Sequence, residues 1–382
     1  YPFPLEALWE RLGDLSASSD PVTPTGVARD LYADLAEHIV RRAVDWQDPS
    51  GAIVDPYRQA TDHFSTARFV GALGNLLSAG RCTDLLDNCV AAYDATIGHF
   101  SDPSSSPEFI TKELVFAHIA LRDLVPTDIL QRWENTWERH DPLAAYNCTA
   151  NRLEHNFCVF ALVGEYLRAR HGLPTTAHIV DQLLAGQRRH FTEFGMYRDP
   201  KDPMTYDLVV RQQLDLMLSE GYSGSELQWV EEVCRRGAIV SLLMQSTTGQ
   251  CPFGGRSNQF HFVEAHFACL CECRARYYHA RGQAALAGAF KRAGRRAIAM
   301  TRPWVTGIQP FRHTKQGFLP SLEHGVDSGG YYSVYGLLMA SLCATAYHLA
   351  DDNIPEVITP AELGGYVLQL SPAFHKVFAT CA

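Results

Sequence analysis

Residues 62–77 read DHFSTARFVGALGNLL, and the spacing of their apolar side chains indicates an α-helix. Apolar positions recur at i, i+3, i+4, i+7 and i+8, which places them on one side of a helix. The same period runs through most of the chain, so we expect about twelve to fourteen helices. The positions in this stretch are Phe69, Ala72, Leu73, Leu76 and Leu77. Similar stretches are 25–44, 83–99, 110–122, 127–138, 151–170, 176–192, 205–220, 225–246, 258–281, 283–303 and 331–350.

Short turns rich in Gly and Pro separate the predicted helices, and alternating β-type patterns are scarce. Short strands are expected only near 52–57 and 304–312. Pairs of helices recur about every 40–55 residues without a repeated motif, which favours hairpins closed into a ring over an open solenoid. We therefore predict an all-α fold, an (α/α)-toroid of about six hairpins. The toroid should form one domain over 1–382, with an N-terminal extension at 1–24 and a C-terminal tail at 351–382 that packs on it.

Charge and hydropathy argue against two classes of partner. The chain carries 33 Lys and Arg against 42 Asp and Glu, a net charge of −9, whereas sequence-independent binding of nucleic acid needs basic surface. No apolar run reaches the roughly 18–20 residues of a membrane span. We expect no nucleic-acid or membrane partner, no cofactor and no bound metal.

Two features bear on the compartment. The chain begins at Tyr1 without an apolar signal segment, as a mature secreted chain would, and it holds one glycosylation acceptor, Asn147-Cys148-Thr149. We therefore expect a secreted or extracellular protein. The sequence leaves the disulfide pairing of its 11 cysteines open.

Polar residues cluster at the predicted helix starts and in the loops before them. If alternate helices point the same way, their starts meet at one mouth of the ring and form a concave, polar and aromatic site. The clusters are 61–63, 151–156, 206–207, 256–261 and 324–327.

Asn156 lies at the edge of the apolar face of the helix predicted over 151–170. A buried amide costs about 1–3 kcal/mol unless it is hydrogen-bonded. Asn156, with Asn151 or His155, could therefore hold a substrate oxygen. Alternatively, Asn151 caps the helix and Asn156 forms hydrogen bonds in the core.

A glycine-rich loop at 249–259 runs into the next predicted helix. Arg256 in this loop could grip a carboxylate, or it could form an ordinary cap and salt bridge. His261, Glu264 and His266 do not form an HExxH motif, and the two histidines point about 140° apart on a helix. Zinc is therefore not expected here.

The remaining clusters each allow two interpretations. Tyr331 and Tyr335 could stack on sugar rings and move protons at a pocket mouth, or they could fill the core. Asp62 could orient the neighbouring His63, or it could cap a helix. The pair at 206–207 has the same two interpretations as Asp62 and His63.

The segments 155–157, 254–258 and 324–332 together carry a resemblance to known proteins. Over about residues 25–350 the chain is similar to α/α-toroid carbohydrate-active enzymes, namely the heparinase-like polysaccharide lyases and six-hairpin glycoside hydrolases. The resemblance implies an enzyme that cleaves a glycosidic bond in an acidic, uronate-containing poly- or oligosaccharide. β-Elimination is the first mechanism it implies.

In such an elimination the substrate carboxylate must be neutralised to stabilise the enolate-like state. The resemblance implies this role for Asn156, Arg256 and Asn258. A His or Tyr must then take the proton, and another must protonate the leaving oxygen. The candidates for these two steps are His155, His261, Tyr331 and Tyr332.

Two alternatives remain open. Inverting, glucuronidase-like hydrolysis needs two carboxyl groups about 6.5–9.5 Å apart. A non-catalytic helical scaffold would instead show an apolar outer groove for a partner protein. The candidate carboxylates for hydrolysis are Asp62, Glu154, Asp207, Glu264 and Asp327.

The predicted site draws on all five clusters. The predicted catalytic residues are His155, Asn156, His261, Asp327, Tyr331 and Tyr332. The predicted substrate-binding residues are Asp62, His63, Asn151, Arg152, Glu154, Tyr206, Asp207, Arg256, Asn258, Gln259, Glu264 and His324.

Overall fold

The computed structural model describes residues 2–148, 156–175, 178–327, 329–370 and 373–381. Helices dominate these ranges, and two short strands follow them near the C-terminus. The helices are α1 Glu6–Ser18, α2 Asp30–Ala43, α3 His63–Ser78, α4 Leu86–Ile97, α5 Thr111–Leu121, α6 Thr127–Arg139, α7 Pro142–Ala145, α8 Phe157–Arg170, α9 His178–Gln187, α10 Met204–Ser219, α11 Leu227–Met244, α12 Phe262–His279, α13 Ala284–Val305, α14 Tyr332–Leu349 and α15 Pro360–Leu363. The strands are β1 Tyr366–Leu370 and β2 Lys376–Thr380.

Six of these helices form a closed inner ring. In the order α3, α5, α8, α10, α12 and α14, each helix packs on the next, and α14 packs back on α3. The helices α2, α4, α6, α9, α11 and α13 alternate with them along the chain and form the outer layer. This arrangement confirms the predicted all-α toroid of helical hairpins.

The inner helices are buried on nearly all sides, and most of the charged residues that they carry are paired. Asp207 and Arg211 lie one turn apart on α10 and form an ion pair of 2.6 Å. The Nε of Arg274 on α12 donates to Asp215 on α10 at 3.0 Å. A buried charge must be compensated in this way, because its transfer from water costs several kcal/mol. The pair of Arg274 and Asp215 also joins two neighbouring helices of the ring.

The positions predicted for strands were wrong. At 52–57 only isolated β-bridges form, at Ile53 and Val54, and 304–312 contains the end of α13 followed by irregular chain. These runs are too short to support a ladder without a neighbouring strand to pair with.

The antiparallel hairpin of β1 and β2 covers part of the toroid near the C-terminus. The side chains of Leu368 and Leu370 alternate inward from β1. They belong to a separate apolar cluster that includes Leu12 of α1 and Met244 of α11. This cluster therefore attaches both ends of the chain to the ring.

The helices are held by packing, without covalent cross-links. All 11 cysteines lie in the described ranges, and no disulfide bond joins them there. Within those ranges, no helix combines the length and the apolarity that a membrane crossing requires.

Close approach of α3 and α5 depends on glycine. A β-carbon at Gly74 would lie 2.8 Å from the Cα of Ala117, which is backbone and cannot move aside cheaply. We expect Gly74→Ala to lower the free energy of unfolding by about 1–3 kcal/mol, as overpacking does. Urea titration followed by circular dichroism measures this change.

Gly13 in α1 is the matched control, because a β-carbon there would meet no atom within 4 Å. Gly13→Ala should be neutral or stabilising by up to about 1 kcal/mol, the helix-propensity difference. Equal effects of the two substitutions would contradict the packing argument.

Candidate active site

The inner helices start at one end of the ring. Between successive inner helices the chain returns through one outer helix, which is followed between α5 and α8 by the single turn α7. The inner helices therefore run parallel, and their N-termini share one face. We call this face the mouth. Dipoles and free backbone N–H groups at helix N-termini favour anions, so the mouth is a favourable place for negative charge.

Each inner helix contributes an aromatic side chain at or near its start. We call this set the aromatic collar; it comprises Phe64, Phe109, Phe157, Tyr206, Phe262 and Tyr335. Ring centroids of Phe109 lie 5.4 Å from Phe64 and 4.8 Å from Phe157. The Tyr335 ring lies 4.5 Å from that of Phe262. Because most of these rings are only half-buried, the collar offers apolar faces on which sugar rings could stack.

A polar chain of contacts crosses the collar from α8 to α12. The backbone N–H of Asn156 donates to Asp199 at 2.9 Å, and its amide Nδ2 donates to the same oxygen at 3.2 Å. The guanidinium of Arg256 pairs with the other oxygen of Asp199 and lies 4.3 Å above the ring of Tyr206. The side chain of Asp199 is fully buried, whereas that of Arg256 is 38% exposed. In this ion pair, therefore, the guanidinium of Arg256 is accessible to solvent, whereas the carboxylate of Asp199 is not.

Ser257, the next residue, holds a second carboxylate. One oxygen of Asp327 accepts from the Ser257 backbone N–H at 2.5 Å and from its hydroxyl at 3.1 Å. The Ser257 hydroxyl also lies 3.4 Å from that of Tyr206. Tyr335 lies close to both hydroxyls, and burial raises the pKa of its phenol well above the ordinary value. Asp327 is only half-buried, so its carboxylate can contact a ligand.

Four predicted residues from distant parts of the chain thus come together, namely Asn156, Tyr206, Arg256 and Asp327. Asp199 links Asn156 to Arg256. Ser257 links Tyr206 to Asp327. The buried amide oxygen of Asn156 has no hydrogen-bond partner in the described part of the protein. The salt-bridge alternative for Arg256 is realised, since its partner is Asp199.

Three predicted residues lie beneath the mouth instead. His261 is almost completely buried, and burial lowers the pKa of its imidazole to about 3. Tyr332 packs in an aromatic cluster, with its ring 4.6 Å from that of Phe311. Glu264 is buried against Lys315 at 2.7 Å, and burial raises the pKa of its carboxyl group. None of these three side chains is accessible from the mouth.

Two more have structural contacts. Asp207 accepts from the backbone N–H of Tyr197 at 2.7 Å besides pairing with Arg211. Asn258 is buried, and its oxygen accepts from the backbone N–H of Gly254 at 2.8 Å. The Asn258 contact closes the loop that carries Arg256, whereas Asp207 holds the chain segment before α10.

At the rim, Asp62 is the N-cap of α3, because its carboxylate accepts from the N–H of Phe64 at 2.8 Å. Asp62 is therefore a helix cap, as one of the two interpretations predicted. Its side chain is only half-buried and stays accessible to a ligand. The exposed ring of His63 lies 5.4 Å from that of His99, beside a cavity of about 360 Å³.

The last predicted residues lie on or near the loop before α14. Tyr331 is covered by the guanidinium of Arg58, 3.6 Å from its ring centroid. His324 is exposed, and Gln259 is half-buried. The predicted Asn151, Arg152, Glu154 and His155 lie outside the described residues.

Sequence reasoning missed Asp199 and Arg68, whose guanidinium lies 5.5 Å from the ring of Phe64 in the collar. Asp199 stands in an Asp-Pro pair, which is typical of a turn, so nothing local indicated its ion pair with Arg256. Arg68 lies in the quoted stretch 62–77 and is its only basic residue apart from His63. A lone arginine within an otherwise apolar helix was the signal that could have identified it.

Two solved structures share the overall architecture. One is described as a possible member of the GH105 family from Salmonella enterica subsp. enterica serovar Paratyphi A; it aligns with a TM-score of 0.54 and 12% identity over 91% of this chain and 98% of that chain. The chain is an α/α toroid. The other, described as a possible GH105 member from Klebsiella pneumoniae subsp. pneumoniae, aligns with a TM-score of 0.53 and 14% identity over 91% and 97%. No family model matches the sequence, and no curated protein matches it. At these identities the likeness establishes the fold of the toroid.

Proposed function

We propose that this protein is a carbohydrate-active enzyme that cleaves a glycosidic bond beside a uronate, by hydrolysis. The half-buried carboxylate of Asp327 in the aromatic collar carries the proposal. The toroid shared with two possible GH105 members supports a glycoside hydrolase. The guanidinium of Arg256 and the parallel helix N-termini favour an acidic sugar.

Asp327 is positioned for acid–base chemistry at the mouth. Its Oδ2 is held by two donors of Ser257. No described residue donates to Oδ1, which can therefore face a water or a glycosidic oxygen. Hydrolysis requires a second carboxyl group. Among the predicted carboxylates in the described ranges, Asp62 also stays half-buried at the mouth, whereas Asp207 and Glu264 are committed to buried ion pairs.

β-Elimination is the second candidate, and the tyrosine pair is the observation that favours it. Tyr206 lies under the guanidinium of Arg256, and Tyr335 lies beside it. In this mechanism an arginine would neutralise the uronate carboxylate while a tyrosine takes the C5 proton.

One assay separates these reactions. The purified protein is incubated with uronate polymers, their oligosaccharides and oligosaccharides that end in an unsaturated uronate, and both reducing ends and ultraviolet absorbance are followed. Hydrolysis yields reducing ends without new absorbance, or removes the absorbance of an unsaturated terminal uronate. Elimination yields reducing ends together with new absorbance. Absence of all three changes across the panel would contradict the proposed function.

A further inference from the structure

Arg68 is a buried cation that forms no ion pair with the described part of the chain. The residue is 8% exposed and lies on α3, one turn below the mouth. Its Nη1 donates to the backbone carbonyl of Val334 at 2.9 Å, a neutral acceptor. Burial lowers the pKa of its guanidinium, which reflects the cost of holding this charge away from water.

The fully buried arginines behave differently. Four arginine side chains are fully buried in the described ranges, and each binds a carboxylate. The pairs are Arg168 with Glu165, Arg211 with Asp207, Arg274 with Asp215 and Arg295 with Glu272. The protein therefore pairs its fully buried guanidinium groups with carboxylates as a rule. Two further buried arginines of the described ranges, Arg68 and Arg312, bind backbone carbonyls instead, and of these two Arg68 is the one that lies beside rings of the aromatic collar.

The two acids whose charges act on Arg68 are already engaged. Asp62 accepts the N–H groups of Phe64 and Ser65 as a helix cap. Glu113 accepts from Lys112 at 2.7 Å and from Ser341 at 2.6 Å. An arginine left without a carboxylate in such a place is costly to the fold, and a ligand anion would remove that cost.

The location of Arg68 fits a sugar carboxylate. Its guanidinium lies between two rings of the aromatic collar, 5.5 Å from Phe64 and 5.9 Å from Tyr335. A guanidinium presents a planar fork that matches a carboxylate in a bidentate contact. A pyranose ring stacked on the collar would bring its carboxylate to this fork.

We propose that Arg68, more than Arg256, binds the carboxylate of a uronate at the mouth. The inference rests on the proposed function only for the sugar part of the ligand. Arg256 is already neutralised by Asp199, whereas the charge of Arg68 is not matched by an ion pair in the described chain.

Binding without turnover tests this proposal separately from catalysis. Dissociation constants of glucuronate and of glucose, which lacks the carboxylate, are measured by ligand-observed NMR for the native protein, Arg68→Gln and Arg68→Lys. The native protein should prefer glucuronate by at least about tenfold, the worth of a charge-assisted hydrogen bond. Arg68→Gln should lose this preference, and Arg68→Lys should keep only part of it.

Arg281→Gln is the control, because Arg281 also stacks on a tyrosine, 3.5 Å from the ring of Tyr277, but at the opposite ends of the helices. It should bind both sugars as the native protein does. The melting temperature of ligand-free Arg68→Gln should equal or exceed the native value, since the substitution removes an uncompensated charge. A native protein without preference, an Arg68→Gln variant that keeps it, or a marked loss of stability in that variant would overturn the proposal. A lack of glycosidic cleavage would overturn the proposed function but leave this binding result standing.

Discussion

Asp327→Asn is expected to lower kcat on the substrate found in the cleavage assay by about 10²–10⁴-fold, the usual contribution of a positioned acid or base. Asparagine keeps the shape of the side chain, and its oxygen can still accept from the backbone N–H and hydroxyl of Ser257. The fold should therefore persist while proton transfer is lost. Initial rates measure the effect, and the melting temperature verifies that the variant is folded.

Glu323→Gln is the matched control, because Glu323 lies on the same loop but is exposed and paired with Arg58 at 2.7 Å. We expect its kcat to stay within about twofold of the native value, as is usual for a surface charge. An active Asp327→Asn variant would contradict hydrolysis through Asp327. If Tyr206→Phe were instead inactive, elimination by the tyrosine pair would be favoured.

Arg256→Ala is expected to lower the free energy of unfolding by about 3 kcal/mol, because it leaves the buried carboxylate of Asp199 without its cation. The value lies at the lower end for a broken buried pair, since Asn156 still donates to Asp199. Chemical denaturation at neutral pH measures the change.

The double variant Arg256→Ala with Asp199→Asn should recover most of this stability, because no unpaired charge then remains. A double variant as unstable as Arg256→Ala would contradict the ion-pair explanation. The double variant also tests the carboxylate-gripping interpretation of Arg256. If its preference for acidic over carboxyl-reduced substrates is native-like, Arg256 positions the loop and does not bind the substrate carboxylate.

The helical architecture could be predicted from local periodicity. The stripe that begins at Phe69 became α3, and the stretches 110–122 and 331–350 became α5 and α14 within one residue or so of their observed ends. Helix periodicity depends on contacts between residues three and four apart, so it can be recognised from a short stretch of sequence. The terminal hairpin of β1 and β2 was not predicted, because its stability comes from packing on distant apolar residues such as Leu12 and Met244.

The site was predicted less completely, because the type of a residue does not indicate how deeply its side chain is buried. His261 and Asp327 both have titratable side chains, and both lie near helix starts. The first points into the core and the second toward the mouth, a difference set by the turn each loop makes. Arg68 was overlooked because its importance lies in a missing partner, which only the surrounding helices reveal.

The amino-acid sequence alone determined that helices form, how many hairpins there are, and that polar and aromatic side chains gather at their starts. Ring closure decided the rest. Asp199 and Arg256 are 57 residues apart, and Ser257 and Asp327 are 70 apart, yet each pair is in contact. Such pairings depend on where α14 closes against α3, because only that closure brings six separate helix starts to one face and sets which charges are matched there.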